Sequence, residues 1–239
     1  MTTDGPGGAG PGAGADLDDP ADVPTGDQRA RLPVARLVAI GLGAVALLVV
    51  GLTVAWARAA DEASSGVAVE LPRPIDAPDV VLTDTDGADI HLPTALAGRT
   101  TLLYFGYLNC PDACPIHMAV ISGVMRRLPV DVVNDIQVVF ITTDPDRDDA
   151  AALREYLDRF DPSFIGLTGS DQDLIETQIA AGVPVAVREP ADDDGEYLVG
   201  HATQVLVFER DGVARVAYPF GVRQSDWAAD LPRLVEQGS

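Results

Sequence analysis

The sequence predicts an α/β domain with a central mixed β-sheet flanked by helices, preceded by one transmembrane helix. Two patterns predict it. Residues 37–57 form an apolar run without a charged side chain, which at about 1.5 Å per helical residue reaches across a bilayer core. From residue 80 onward, short continuous apolar runs alternate with segments of helical periodicity. This alternation is typical of buried strands that are covered by helices on both faces.

The residues around the apolar run predict its orientation. The segment 1–28 consists mainly of Gly, Pro, Ala and Asp, a composition that buries little apolar surface and predicts a disordered tail. Arginine is more frequent before the run than after it, and the arginine-rich side of a span stays in the cytoplasm. The arginines nearest to the run are Arg29, Arg31 and Arg36 before it and Arg58 after it.

We therefore expect a single-pass protein with a cytoplasmic tail and one extracytoplasmic domain over residues 66–239. The tail is acid-rich, whereas mitochondrial transit peptides are arginine-rich and poor in acid. This difference indicates a bacterial cell membrane. Cleavage near residues 55–57 is the alternative to a permanent anchor.

The first half of the predicted domain contains a hairpin, a buried strand and a helix. The segment VVLTDTDGADI carries a turn-favouring Asp-Gly pair between two strand-like halves. The run TTLLYF, residues 100–105, is a buried strand, and the loop GYLNCPDACP follows it. Helical spacing begins at about Ala113 and ends in two arginines, which suit a helix C-terminus.

The second half continues the alternation. IQVVFITT, residues 136–143, is a buried strand, DDAAALREYLDRF an amphipathic helix and FIGLTG a short strand. SDQDLIETQIAAG is a helix with Ser170 as its N-cap and Gly182 at its end. After the solvated acidic loop PADDDGEY, TQVLVFERDGVARVAY predicts a second hairpin, and RQSDWAADL predicts a last helix that reaches Pro232.

The charge balance excludes nucleic acid as a partner. The chain has a net charge of −21 at pH 7, whereas a phosphate-binding surface needs concentrated positive charge.

The two cysteines of the chain, Cys110 and Cys114, lie in the loop between the first buried strand and the next helix. A disulfide across so short a loop would constrain the unfolded chain little, so a redox or metal site is the better interpretation. If the helix begins between them, the two side chains share one face, and the helix N-terminus lowers the thiol pKa. A dithiol at this junction predicts a thioredoxin-like architecture.

Three segments resemble the motifs of the SCO/SenC family of copper chaperones. They are YFGYLNCPDACP, ITTDPDRD and GHATQVLVFERDG, in this order along the chain. The resemblance implies that Cys110 and Cys114 are thiolate ligands and His201 the distal imidazole ligand of one copper ion, as Cu(I) or Cu(II). Thiolates suit Cu(I), and imidazole suits either oxidation state. The resemblance also implies that the protein delivers copper to the binuclear copper site of a cytochrome c oxidase subunit, with an upstream copper donor as a second partner.

Other polar residues near the dithiol compete for roles. His117 follows Cys114 by three residues, so a local site of both cysteines and His117 is an alternative. Asp144, at the end of a strand, is a candidate to orient a metal ligand without touching the metal itself, or to contact a partner, and a turn-forming Asp-Pro is its structural alternative. Asp112 between the cysteines suits a turn, and His91 suits the polar face of a strand.

Two other functions remain open from the sequence. A thiol–disulfide oxidoreductase that reduces the cysteines of the oxidase subunit, or of another extracytoplasmic partner, would use the same dithiol. His201 discriminates between the two functions, because a metal site needs it and dithiol exchange does not. A copper-responsive sensor or store is the third possibility.

Overall fold

The structure, a computed structural model, describes residues 34–63 and 67–238, with side chains for residues 38–54 and 67–238. The chain divides into two compact units, Met1–Trp56 and Ala57–Ser239. The predicted tail, residues 1–28, and the predicted first residue of the domain, Gly66, lie outside the described residues.

Helix α1 spans Val34–Ala63 and includes the predicted transmembrane run. Its large apolar side chains, such as Leu47 and Leu48, are exposed. Among the residues that the structure describes, no helix combines the length and the apolarity needed to cross a membrane. The transmembrane helix over residues 37–57 stays a prediction.

The second unit is built on an eight-stranded mixed sheet and a separate two-stranded ribbon. The strands are β1 (Val69–Asp76), β2 (Val81–Asp84), β3 (Asp89–His91), β4 (Thr100–Gly106), β5 (Ile136–Thr142), β6 (Ile165–Thr168), β7 (Val187–Arg188), β8 (Val199–Gly200), β9 (Val205–Phe208) and β10 (Val213–Tyr218). The helices of this unit are α2 (Leu92–Ala95), α3 (Ala113–Met125), α4 (Val130–Asn134), α5 (Ala150–Asp158), α6 (Asp171–Ala180) and α7 (Gln224–Gln237).

Strand β4 lies in the middle of the large sheet, whose order is β1-β10-β9-β4-β5-β6-β2-β3. It pairs in parallel with β5, from Thr100 opposite Ile136 to Gly106 opposite Thr142. On its other side it pairs antiparallel with β9. The sheet is therefore mixed, as the sequence predicts, and the ends of β4 and β5 lie side by side.

Both faces of β4 are buried, which explains its continuous apolar sequence. Leu102 and Tyr104 belong to a core cluster that includes buried residues of α3, α5 and α7. Leu103 and Phe105 point to the opposite cluster, which includes residues of α2 and α6. Successive side chains of a strand point to opposite faces, so this single strand joins the two layers of the core.

Most predicted elements of the domain are confirmed, and the differences have physical reasons. The helix α7 continues through Pro232 to Gln237 instead of ending at the proline, because Leu231 and Val235 on either side of it are buried in the core. Strand β1 was not predicted from its proline-rich sequence; it lies at the edge of the sheet, where proline is tolerated. The predicted N-cap Ser170 is confirmed, since its side chain accepts a hydrogen bond from the Asp173 amide.

Candidate metal centre

The dithiol lies where β4 leads into α3. The helix begins at Ala113, between the two cysteines, and Asp112 is its N-cap. Cys110 therefore precedes the helix, and Cys114 lies in its first turn. Both thiols are free and buried, and the Cys114 backbone amide donates to the Cys110 sulfur over 3.4 Å. This amide, at the N-terminus of the helix, has no acceptor within the helix. Its hydrogen bond to the Cys110 sulfur favours the thiolate form of that sulfur.

His201 is the third residue at the site. It directly follows β8 in the chain. Its Nε2 lies 3.8 Å from the Cys110 sulfur and 3.6 Å from the Cys114 sulfur. The three ligand atoms all lie within 4.8 Å of one another. The structure thus brings together the three residues that the sequence singles out, although 87 residues separate Cys114 from His201.

The backbone fixes the orientation of the His201 ring. Nδ1 lies 2.9 Å from the Ala202 carbonyl oxygen, and a carbonyl can only accept, so Nδ1 carries the proton of this bond. Nε2 is then left to face the sulfurs, which is the arrangement that metal-binding histidines use. The ring also meets the ring of Tyr107 edge-on, with centroids 5.6 Å apart.

The two thiols have very different proton affinities. The pKa of Cys110 is lowered to about 3, first by its interaction with the Cys114 thiol and then by His201 and the Cys114 amide, while burial opposes this shift. The interaction with Cys110, together with burial, raises the pKa of Cys114. At neutral pH the metal-free pair is therefore one thiolate and one thiol.

The His201 imidazole responds to the Cys110 thiolate. Burial alone would lower the pKa of His201, but the hydrogen bond to Cys110 and the Ala202 carbonyl raise it on balance. The raised pKa favours a proton on Nε2, where it would face the Cys110 thiolate. A metal ion that bound here would compete with a proton on Nε2 and with the Cys114 thiol proton.

The donor atoms have the spacing of a three-ligand metal site. Bonds of about 2.3 Å to sulfur and about 2.0 Å to nitrogen, at tetrahedral to trigonal angles, place a sulfur and a nitrogen about 3.5–3.7 Å apart. The observed separations are 3.6 Å and 3.8 Å. Two thiolates and one imidazole suit soft and borderline ions such as copper(I) and zinc. The residues present therefore fit a bound metal ion.

His117 is not a member of the three-residue group found in the described chain. Its ring stacks on Tyr104 and on Phe220, with centroids 5.0 Å and 5.1 Å apart. Burial, with a smaller contribution from the charge of His201, lowers the pKa of His117 to about 4. The alternative site with His117 therefore has no support from the geometry. His91 is exposed and contacts Asp79.

Asp144 is fully buried at the end of β5, but the contacts of its side chain lead away from the three ligand atoms. Its carboxylate pairs with Arg147 and accepts a hydrogen bond of 2.8 Å from the Tyr197 hydroxyl. Tyr197 precedes β8, the strand that leads into His201. Any effect of Asp144 on the site would therefore pass through the segment that carries His201.

Three residues beside the dithiol were not predicted. The Tyr104 hydroxyl donates to the Cys114 sulfur over 3.6 Å. Asp148 accepts a hydrogen bond from the Leu108 amide over 3.1 Å. Gly106 leaves the space that the Cys114 sulfur occupies. Tyr104 could have been found from the strand period, because it faces the same side of β4 as Gly106, which precedes the cysteine loop.

The match to a family model covers most of the second unit. The model described as SCO1/SenC matches residues 75–236.

The chain belongs to the SCO1/SenC family.

Individual family members show how far the similarity extends. An SCO2-like protein of Rickettsia conorii is 37% identical over 134 residues, which are 56% of this chain and 64% of that protein. The aligned stretch is thus slightly less than two thirds of this curated relative. ScoI of Bradyrhizobium japonicum, solved with copper bound, is 32% identical with a TM-score of 0.60; the match covers 67% of this chain and 99% of that chain.

Yeast Sco1, also solved with copper bound, is 27% identical with a TM-score of 0.59, and the match covers 70% of this chain and 88% of that chain. These similarities confirm the predicted thioredoxin-like α/β fold and the resemblance to the SCO/SenC family.

Proposed function

We propose that this chain binds one copper ion, as Cu(I) or Cu(II), through Cys110, Cys114 and His201. The observation that carries the proposal is the convergence of two sulfurs and one imidazole nitrogen within 4.8 Å. Thiolate donors favour Cu(I), and imidazole is a good ligand for both oxidation states. The copper-bound family members of B. japonicum and yeast support the choice of copper.

Delivery of this copper is the function that follows from the family. The proposed recipient is the binuclear copper site of a cytochrome c oxidase subunit, and the proposed source is an upstream copper donor. The Cys110 side of the site is the side that such partners could reach, because Cys110 retains 9% of its surface and Cys114 none. A thiolate at the surface can begin the exchange of ligands with a partner's thiolates.

The proposed location of the second unit is the outer face of a bacterial cell membrane, with residues 37–57 as the anchor and residues 1–28 in the cytoplasm. The uncharged apolar run supports it, as does the exposure of the described apolar side chains of α1. Alkaline extraction of cell membranes should leave the full-length chain in the pellet. Release into the supernatant would contradict a spanning anchor.

A second candidate function is thiol–disulfide exchange with the copper-accepting cysteines. The lowered pKa of Cys110 favours it, because the thiolate is the attacking species. Cys110 would attack a disulfide sulfur of the partner and form a mixed disulfide. Cys114, after losing its proton, would then attack Cys110, so the partner leaves as a dithiol and Cys110–Cys114 becomes the disulfide.

Copper titration of the full-length reduced protein in detergent under anaerobic conditions tests the first proposal. We expect one Cu(I) per chain and a clearly weaker affinity in His201→Ala. His91→Ala is the matched control, since His91 is exposed and contacts Asp79. If the parent binds no copper, or if His201→Ala binds as tightly as the parent while its dithiol still exchanges, the oxidoreductase function replaces the copper-binding one.

A further inference from the structure

The residues 144–148, which follow β5, form a turn that is held by its own backbone. We call this segment the 144–148 turn. The Arg147 and Asp148 amides donate to the Asp144 carbonyl oxygen over 3.1 Å and 2.9 Å. The Asp144 amide donates to the Thr142 hydroxyl over 2.9 Å. The side chains at the two ends of the turn, Asp144 and Asp148, are 0% and 1% exposed. Two buried carboxylates so close in sequence need specific partners.

Asp148 makes its contacts with the segment that carries the dithiol. One carboxylate oxygen accepts from the Leu108 amide over 3.1 Å and from the Thr142 hydroxyl over 2.6 Å. Leu108 lies two residues before Cys110. The Thr143 amide adds a hydrogen bond of 2.7 Å to the Gly106 carbonyl oxygen. The chain between β4 and the first cysteine is thus fixed to the end of β5.

Asp144 makes its contacts with the segment that carries His201. It accepts from the Tyr197 hydroxyl over 2.8 Å and pairs with Arg147. The Arg147 guanidinium lies 3.5 Å from the centroid of the Tyr197 ring and donates to the Tyr197 carbonyl oxygen over 3.0 Å. Arg188, in β7, lies 3.5 Å from the Asp144 carboxylate. The β7–β8 ribbon, which leads directly into His201, is therefore also fixed to the turn.

We propose that the 144–148 turn positions both halves of the metal centre, with Asp148 fixing the cysteine loop and Asp144 fixing the ribbon before His201. Neither carboxylate touches a ligand atom, so both are positioning residues. Because the two contacts start from one short turn, the turn sets the distance between the dithiol and the imidazole. The part of the proposal that concerns copper affinity rests on the proposed copper site; the part that concerns the two chain segments does not.

The contact of Asp144 with the ribbon and the contact of Asp148 with the cysteine loop can be weakened separately. Tyr197→Phe removes only the hydroxyl that donates a hydrogen bond to Asp144. Asp148→Asn replaces the charged carboxylate that accepts from the Leu108 amide with a neutral side chain. Asp158→Asn is the matched control, because Asp158 pairs with Arg154 on the half-exposed side of α5. Loss of a charge-assisted hydrogen bond should raise exchange about tenfold or more. We expect Asp148→Asn to raise amide hydrogen exchange at Leu108, and Tyr197→Phe to raise it around Gly200.

Copper affinity supplies the second measurement. Substitution of groups that orient metal ligands weakens binding by about 10–100-fold, so each variant should bind Cu(I) at least about tenfold more weakly. In a His201→Ala background, Tyr197→Phe should have no further effect, because the ligand that it positions is gone. Asp148→Asn should still weaken binding there, since it acts on the cysteines.

Three results would overturn the proposal. One is exchange that rises in both segments with either variant, which indicates a general loss of stability. Another is unchanged exchange in both variants. The third is a Tyr197→Phe effect on affinity that persists undiminished without His201. If the parent binds no copper, the proposed function fails, but the exchange measurements still decide whether the turn holds the two segments.

Discussion

Gly106 lies directly beneath the sulfur of Cys114. A Cβ atom at position 106 would lie 2.7 Å from that sulfur and 2.9 Å from the Tyr104 ring. Such distances are far inside van der Waals contact, so the last residue of β4 must lack a side chain for Cys114 to approach the sheet. The absence of one methyl group therefore sets how deep the second sulfur lies in the site.

Gly106→Ala should damage both the fold and the metal centre. We expect a loss of about 1–3 kcal/mol in the free energy of unfolding, the usual effect of overpacking a core. We also expect weaker Cu(I) binding, because Cys114 must move relative to His201. Denaturant unfolding and copper titration measure the two effects.

Gly166→Ala is the matched control for this substitution. A Cβ at Gly166 would lie 2.9 Å from a Leu157 methyl carbon and 3.0 Å from a Thr85 methyl carbon, away from the three ligand atoms. It should lower stability and leave copper affinity unchanged. Equal losses of copper affinity in both variants would show that Gly106 acts only through general stability.

The Tyr104 hydroxyl should contribute to both stability and copper binding. It donates to the Cys114 sulfur over 3.6 Å, and a donor to a thiolate stabilises the metal-bound form. Tyr104→Phe keeps the ring that stacks on His117 and should lower stability by about 0.5–1.5 kcal/mol. It should also weaken copper binding modestly. Thermal unfolding and competition with a Cu(I) chelator are suitable measurements.

Tyr156→Phe provides the comparison, since the buried Tyr156 hydroxyl has no hydrogen-bond partner in the described structure. Removing an unpartnered buried hydroxyl is neutral or stabilising, so this variant should be at least as stable as the parent. A larger loss in Tyr156→Phe than in Tyr104→Phe would contradict the assignment of the hydrogen bond.

Cys110 should react with alkylating reagents at a pH where ordinary thiols do not. Its pKa is lowered to about 3, first by its interaction with the Cys114 thiol. An ordinary thiol loses about tenfold in rate for each pH unit below its pKa, whereas the Cys110 rate should be nearly constant between about pH 8 and pH 5. Mass spectrometry of the metal-free reduced protein measures the rates.

The effect of the Cys114 side chain on the pKa of Cys110 can be tested by two substitutions at position 114. Cys114→Ser keeps a hydroxyl that can donate to Cys110, and Cys114→Ala removes the donor. In the alanine variant, the alkylation rate of Cys110 should fall steeply as pH decreases, as it does for an ordinary thiol. In the serine variant, the rate should depend less on pH and so stay closer to that of the parent. If both variants match the parent, the backbone amide and His201 suffice to hold the thiolate.

The sequence predicts the dithiol side of the site better than the parts that support it. Continuous apolar runs identify β4 and β5, and the start of a helix between Cys110 and Cys114 follows from local pattern. The contact between Asp148 and Leu108 joins residues 40 apart, and no local pattern reports it. The ribbon before His201 consists of two-residue strands, too short to show a period of two.

The same limit applies to Asp144. Its position after β5 predicts a carboxylate near the site, but the direction of its side chain depends on the ribbon that packs over it. The sequence at His201 gives no side chain to orient the ring, because its neighbours are Gly200 and Ala202. The backbone carbonyl of Ala202 does so instead, and a backbone acceptor leaves no signature in the sequence.

Asp148 should make the folded protein less stable as pH rises from about 4 to about 6. Burial raises the pKa of Asp148 from 3.8 to about 6. The hydrogen bonds from Thr142 and Leu108 and the charge of Arg147 oppose this shift, whereas the charge of Asp144 contributes to it. The folded state thus binds the proton more tightly than the unfolded state. The stabilisation is complete below about pH 3.8 and is lost as pH rises through about 6.

The difference between the two pKa values corresponds to at most about 3 kcal/mol. Asp148→Asn has no proton to lose, so its free energy of unfolding should decrease less than that of the parent between pH 4 and pH 6.5. Urea unfolding at a series of pH values measures the difference. Asp158→Asn, at a half-exposed carboxylate of α5, should keep the parent's pH dependence. Parallel curves for the parent and Asp148→Asn would mean that Asp148 is ionised throughout this range, held by the Leu108 and Thr142 donors.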